Sequence, residues 1–195
     1  MAKIVLKKVR CAYPHLFEKY GYNGQNGKYQ MQVIMPLDHP QLPVLKKAIL
    51  EAAREKFPGK FKDGSGKWPA ALRYPLRKGE EKAEEQPEYA DCVFFSSTSN
   101  QRPTVVDRNK QNVDPESGMI YGGCYVNVSL NFYAYDVSGN KGVAAGLNGV
   151  QFVKDGEAFG GSGNTVNDFD VEGDDDGDEE VDIPFDKGDS DDELI

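Results

Sequence analysis

The chain has 195 residues, with 32 acidic against 23 basic side chains and a formal net charge of −9. The acid is concentrated: residues 168–195 hold 15 Asp and Glu against one Lys, which leaves residues 1–167 with 22 basic and 17 acidic groups, a net of +5. Three cysteines (Cys11, Cys92, Cys124) without CxxC spacing exclude a disulfide framework or thiolate zinc site, and no apolar run reaches the ~20 residues of a membrane span. Met1-Ala2-Lys3 leads into no signal-peptide h-region, so a soluble protein of a reducing, intracellular compartment is expected. Length and composition predict one domain with a real core over residues 1–160, then a Gly-rich linker and acidic tail over residues 161–195.

Lys3 to Val9, with Ile4, Val5, Leu6 and Val9, predicts a first strand. Residues 13–22 read as a loop rich in aromatics, and Asn23-Gly24 and Asn26-Gly27 as turns. From Lys28 to Met35 the residues Tyr29, Met31, Val33 and Met35 alternate with Lys28, Gln30 and Gln32, the period of a strand. Leu42, Leu45, Ile49 and Ala52 recur at helical spacing, opposite Lys46, Lys47, Glu51 and Glu55. They predict a helix from Pro40 to Phe57, with Pro43 in its first turn and Pro58-Gly59 as its stop. Residues 60–89 form a long irregular excursion, basic and aromatic first, acidic from Glu80 to Glu88. Strands follow at Cys92 to Ser97 and Thr104 to Asp107, then a turn over Asp114-Pro115-Glu116-Ser117-Gly118. The clearest strand runs from Ile120 to Tyr135, where Cys124, Val126, Val128, Leu130, Phe132 and Ala134 alternate with aromatic and amide side chains. Ser138 to Gly142 reads as a hairpin turn and Gly142 to Val153 as the return strand, with Gly146 and Gly149 marking tight curvature. A mostly-β protein with one inserted helix predicts a small Greek-key barrel. Periodicity does not separate an OB-fold from another small barrel or a sandwich.

No catalytic centre, cofactor or metal site is expected. His15 and His39 each adjoin a proline and read as surface positions. Gly64-Ser65-Gly66-Lys67-Trp68 fails as a phosphate loop because Trp follows the Lys where Ser or Thr belongs. Asp168, Asp170, Glu172, Gly173 and Glu179 come near a calcium-loop spacing, but without flanking helices, so loose cation screening is expected instead. The stronger signal is basic and aromatic side chains in one domain, since single strands are bound by cations tracking phosphates and rings stacking on bases. The candidates are Lys28, Lys67, Trp68, Arg73, Tyr74, Arg77, Arg102, Arg108, Lys110, Tyr125, Tyr133 and Tyr135. The plainer alternative packs the tyrosines beneath a loop or the helix and leaves the cations as solvated surface.

Val105-Val106-Asp107-Arg108-Asn109-Lys110-Gln111, Tyr121-Gly122-Gly123-Cys124-Tyr125, Asn131-Phe132-Tyr133-Ala134-Tyr135, Gly139-Asn140-Lys141-Gly142 and Gly146-Leu147-Asn148-Gly149-Val150-Gln151 together resemble the bacteriophage single-stranded DNA-binding proteins. The resemblance extends from the first strand to about Gly161. It implies an OB-fold body, an acidic C-terminal arm and no enzymatic activity. It also implies sequence-nonspecific protection of single strands during replication and recombination, in the cytoplasm of an infected bacterium. Asp182-Ile183-Pro184-Phe185 is similar to the partner-docking tip of bacterial single-stranded DNA-binding proteins, where the Phe ends the chain; here ten residues follow it and the chain ends in Leu194-Ile195. Asp182, Ile183, Pro184, Phe185, Leu194 and Ile195 are therefore the expected partner-binding residues of a disordered arm that competes with DNA for the basic body. The rival readings are a strand-annealing or RNA-binding protein on the same barrel, an acidic DNA mimic and a nuclease. The acid is segregated into one arm, which disfavours mimicry, and the body shows no metal-carboxylate cluster for a nuclease. A homo-oligomer remains open.

Overall fold

The structure, a computed structural model, describes residues 3–21, 27–61 and 67–159. Strands β1 (Lys3–Tyr20), β2 (Lys28–Pro36), β3 (Arg77–Lys78), β4 (Cys92–Ser99), β5 (Thr104–Val106), β6 (Tyr125–Val137) and β7 (Asn140–Lys154) make one sheet in the order β3-β4-β2-β1-β6-β7-β5. β4 also pairs in parallel with β7, Ser97 with Ala145 and Thr98 with Gly146, and this contact closes β1, β2, β4, β6 and β7 into a barrel. The other pairings around the ring are antiparallel. Counted along the chain, the ring runs first, second, third, fifth, fourth and back to first, which is the OB-fold.

The alternation read in β2 and β6 is the inside and outside of this barrel. Met31, Val33, Met35, Val126, Val128, Leu130 and Phe132 point into the core, where Leu6, Phe95, Leu147 and Val150 join them. Helix α1 (Leu42–Lys56) is inserted between β2 and β3 and buries Leu42, Leu45, Ile49 and Ala53 in the same core. The sequence put Ala52 on that face; Ala53 is the fully buried alanine and Ala52 sits at the margin. The irregular excursion is held by short 3-10 turns at Pro58–Phe61, Gly79–Glu81 and Pro87–Tyr89.

Two expectations are corrected. The aromatic loop over residues 13–22 is, as far as Tyr20, the second half of β1, where His15 pairs with Gln30 and Tyr20 with Lys28. The register shifts between Ala12 and His15, and Tyr13 has φ 46°, so a bulge absorbs Pro14, which a regular ladder would reject. The strand expected from Ile120 begins only at Tyr125. At Gly123 the backbone has φ 114°, and a Cβ there would lie 2.0 Å from the Glu157 carbonyl oxygen, so the chain turns before the ladder starts. The hairpin joining β6 to β7 is tight, with Ser138 (φ 49°) and Gly139 (φ 84°) both left-handed, as a two-residue turn of matching twist requires.

A second bulge in β1, between Leu6 and Val9, takes backbone groups out of the ladder. Side chains replace the missing partners. The Lys7 N–H donates to Gln41 Oε1 (2.7 Å), Gln41 Nε2 donates to the Val5 carbonyl (3.0 Å) and the Lys8 N–H donates to Asn127 Oδ1 (3.0 Å). Gln41 sits at the N-cap of α1 without capping it, so its amide stitches the start of the helix to β1.

The three thiols are free. Cys11 and Cys124 are fully buried and adjacent, with the Cys11 N–H donating to the Cys124 carbonyl at 3.0 Å, whereas Cys92 is half-buried. A hydrogen bond to the Cys124 sulfur, aided by burial, raises the Cys11 thiol well above its ordinary pKa. The linker, the acidic arm with its calcium-like spacing, and the turns at Asn23-Gly24 and Asn26 lie outside the described residues.

Gln41→Ala removes two side-chain bonds to β1 and is expected to lower stability by about 1–2 kcal/mol. Ile49→Ala in the buried face of the same helix is expected to cost about 2–5 kcal/mol. Urea unfolding of both variants measures the difference.

Candidate nucleic-acid interface

The outer face of β1, β2 and β4 has two halves. Its upper half is apolar: Ala12, Ile34 and Phe94 are covered by Tyr89 in a small cluster outside the barrel. The lower half is an open polar platform. Gln32 pairs with Ser96 and Gln30 with Thr98, while His15 and Tyr20 on β1 flank Gln30 and Lys28. His15 and Tyr20 stack with ring centroids 4.3 Å apart, and Tyr20 is 59% exposed. The rings thus overlap at a tilt of 27°, with exposed Tyr20 surface left for another flat group.

The boundary between the halves is hydrogen-bonded. The Tyr89 hydroxyl donates to Gln32 Oε1 at 2.9 Å, and Lys82 Nζ donates to the same oxygen at 3.3 Å. Burial, with the nearby Tyr13 and Glu88 adding to it, raises the Tyr89 phenol far above its ordinary pKa, so it remains a neutral donor. Lys82 lies 4.7 Å from the Tyr89 ring centroid and 5.4 Å from that of Tyr13, a half-exposed ring whose hydroxyl accepts from Gln86 Nε2.

Residues 72–78 cross the fork where β4 and β7 part. Arg73 bonds the β7 edge, its N–H donating to the Lys141 carbonyl (2.9 Å) and its carbonyl accepting from the Val143 N–H (3.2 Å). Arg77 pairs with Phe94 on the β4 edge. Leu72 and Leu76 are buried beneath this strap, and Arg73, Tyr74 and Arg77 stand exposed on it. Trp68 supports it from below: its indole N–H donates to the Leu72 carbonyl (2.7 Å) and its ring lies 4.7 Å from that of Tyr74. Partial burial raises the Tyr74 phenol. Arg77 forks onto Glu81 Oε2, at 2.9 and 2.5 Å, and that hydrogen-bonded guanidinium holds the Glu81 carboxyl below its usual range.

The sequence candidates therefore divide. Lys28 pairs with Tyr20 on the platform, whereas Arg73, Tyr74 and Arg77 stand on the strap, Arg77 over Phe94 of the covered half, with Trp68 half-buried under the strap and Lys67 exposed where it begins. Arg108, Lys110 and Tyr125 belong to another face, where the Tyr125 ring lies between Arg10 (5.4 Å) and Lys154 (4.6 Å). Arg102 lies over Phe17, 5.3 Å from its ring centroid. Tyr133 and Tyr135 are half-buried on β6, Tyr133 beside Ala52, Glu55 and Lys56 of α1. Tyr13, His15, Tyr20, Gln30, Gln32 and Lys82 were not among the candidates. The polar half of the β2 alternation was the signal for the two glutamines; the β1 residues were hidden by reading their segment as a loop. Among the described residues there is no group of three or more His, Cys, Asp or Glu placed to hold a metal.

An OB barrel with rings, amides and a cation on the outer face of its first two strands has the build of an oligonucleotide-binding protein. A family model described as the single-stranded DNA-binding protein of Enterobacter phage Enc34 matches residues 2–181, and the chain belongs to that family. Putative protein p50 of Acyrthosiphon pisum secondary endosymbiont phage 1 is 39% identical over 173 residues, covering 86% of this chain and 92% of that one. The solved structure of the bacteriophage Enc34 single-stranded DNA-binding protein in complex with single-stranded DNA matches with TM-score 0.65 and 28% identity, over 81% of this chain and 89% of that one. Bacteriophage T7 gp2.5, a single-stranded DNA-binding protein, matches with TM-score 0.58 over 88% of this chain and 98% of that one; at 15% identity the likeness is one of fold.

Because Arg77 holds the folded Glu81 pKa down, this pair stabilises the fold above the unfolded carboxyl pKa of ~4.3, and the contribution is lost as pH falls through the lower folded value. A carbon-detected NMR titration is expected to give Glu81 a midpoint below the unfolded carboxyl value, and Arg77→Ala is expected to raise it.

Proposed function

We propose that this chain is a non-catalytic, sequence-tolerant single-stranded DNA-binding protein whose strand lies across the β2–β4 platform and the strap. The observation that carries this reading is the open platform itself, with stacked His15 and Tyr20, the Gln30 and Gln32 amides and Lys28; Arg73 and Arg77 stand on the strap that pairs with the β4 edge. Rings take bases without regard to sequence, amides and hydroxyls meet base edges, and cations neutralise phosphates. Family membership and the single-stranded DNA complex of the Enc34 protein support the ligand class. The acidic arm, with 15 acids against one Lys, competes for the same cations when DNA is absent. Its apolar residues Ile183, Pro184, Phe185, Leu194 and Ile195 recruit replication and recombination proteins in the infected bacterial cytoplasm.

Tyr20→Ala is expected to lose about 1–3 kcal/mol of single-strand binding with an unchanged salt slope, because a ring displaces no counterions. Arg73→Ala is expected to flatten the log–log salt slope by about 0.7. Trp68→Ala acts chiefly on stability, because its ring packs under the strap. Oligonucleotide titrations at several salt concentrations, beside thermal melts, separate the three. Equal affinity for duplex and single strands would overturn the reading.

Removing residues 168–195 is expected to tighten single-strand binding, most at low salt, where competition is least screened, and to abolish partner capture. Phe185→Ala is expected to keep DNA affinity and weaken capture. A deletion that leaves affinity unchanged at low salt would remove competition from the account.

A further inference from the structure

A second groove lies across the barrel from the platform, on the outer face of β1, β6, β7 and β5. It encloses about 440 Å³, and Lys3, Val5, Val106, Lys110, Ser129 and Gln151 line it. Its floor is apolar: Val5 is 47% exposed although it lies within a strand. Its rim is basic. Lys3 and Lys110 enter no ion pair among the described residues, and no acidic side chain lines the groove. Asp107, which follows Val106 in the chain, is engaged by its own turn, with Oδ1 accepting the Asn109 and Gln111 N–H groups at 2.8 Å each. The Ser129 hydroxyl is buried without a hydrogen-bond partner. Gln151 is fixed by Asn127, which donates to its Oε1, and its own Nε2 donates to the Asp107 carbonyl.

One register row joins the two faces. His15 pairs with Gln30, Gln30 with Thr98, Thr98 with Gly146, Gly146 with Asn131 and Asn131 with Lys3. Side chains paired in register share one surface, so this polar row girdles the outside of the barrel from the platform to the groove. At its middle Gly146 presents no side chain; a Cβ there would lie 2.6 Å from Asn131 Oδ1. The Asn131 amide therefore lies over Gly146, so a polar group continues the row where it crosses β7.

We propose that the groove is a second binding track for single-stranded nucleic acid, reached along this row by a strand that has already filled the platform. Phosphates lie against Lys3 and Lys110, and bases lie on the Val5 and Val106 floor. The inference rests on the platform reading, and oligonucleotide length separates the two. One OB-fold occupies about 4–16 nucleotides, so an oligothymidylate of about 8 residues fills the platform alone and one of roughly 30 reaches both faces.

The test is a fluorescence titration of the full chain and the variants Lys3→Gln/Lys110→Gln and Tyr20→Ala with both lengths over a series of salt concentrations. Circular dichroism melts confirm that each variant folds. The lysine pair is expected to leave the short strand unaffected, and to weaken the long strand about tenfold at low salt and flatten its slope by about 1.4, two phosphates' worth. Tyr20→Ala is expected to weaken both lengths. If the lysine pair changes neither length, the second track is wrong and the platform stands. If it weakens the short strand as much as the long one while Tyr20→Ala weakens neither, the groove is the primary site and the order of the two faces is overturned. Loss of protein capture with both DNA affinities intact would assign the groove to an acidic peptide instead.

Discussion

Closure of the barrel rests on two residue pairs. β4 meets β7 only at Ser97 with Ala145 and at Thr98 with Gly146, whereas β6 and β7 pair along nearly their whole length. Small residues on β7 let the backbones approach at the seam. Ser97 is fully buried, and its hydroxyl donates to the Met31 carbonyl, so the polar atom at the closure has its partner. Left unsatisfied, such a group costs about 1–3 kcal/mol. A contact this short leaves a fork on one side, where Leu76 joins the core and Leu72 is buried beside it in the chain. The strap that carries Arg73, Tyr74 and Arg77 is thus first a plug for the core. Its outward residues stand where they do because its inward residues are needed at the fork.

The segment between the strap and β4 divides the outer face. Tyr89 covers Ile34 and Phe94, whose burial favours the fold by about 1.5–3 kcal/mol per side chain. At Gly79 a Cβ would lie 1.8 Å from the Tyr89 carbonyl oxygen, so the covering turn packs backbone against backbone. The same segment carries exposed Glu80, Glu84 and Glu85. These carboxylates repel a polyanion from the covered half and leave the rows of Gln30 and Gln32, near Lys28, as the favourable path. One short segment therefore seals apolar surface and biases where a phosphate backbone can lie.

Local pattern made much of this legible. The alternations in β2 and β6 gave their inner faces residue by residue, and the helix was found because its apolar spacing and its Pro-Gly stop agreed. The parallel contact between β4 and β7 was not legible, since it joins residues far apart in sequence through a seam with no pattern of its own. The second half of β1 was missed for a different reason. Pro14 signals a loop, and only the partner strand reveals that a bulge accommodates it. That error carried into the site, because His15 and Tyr20 belong to the misread segment. Composition marked the strap as basic and aromatic, but composition does not separate Trp68, which faces inward, from Tyr74, which faces out.

The buried thiols have a consequence of their own. Cys11 and Cys124 sit side by side where β1 meets the turn before β6, closed to solvent, and the Cys11 thiol is held protonated by its neighbour and by burial. Only a thiolate attacks a disulfide or an alkylating reagent. Burial raises the Cys92 thiol as well, but this residue, at the start of β4, is only half-buried. Burial therefore sets two levels of access: a reagent reaches Cys92 from the surface, while uptake at Cys11 and Cys124 waits for β1 to part from the barrel. Any ligand that ties the faces of the barrel together slows uptake at the buried pair and leaves Cys92 unchanged.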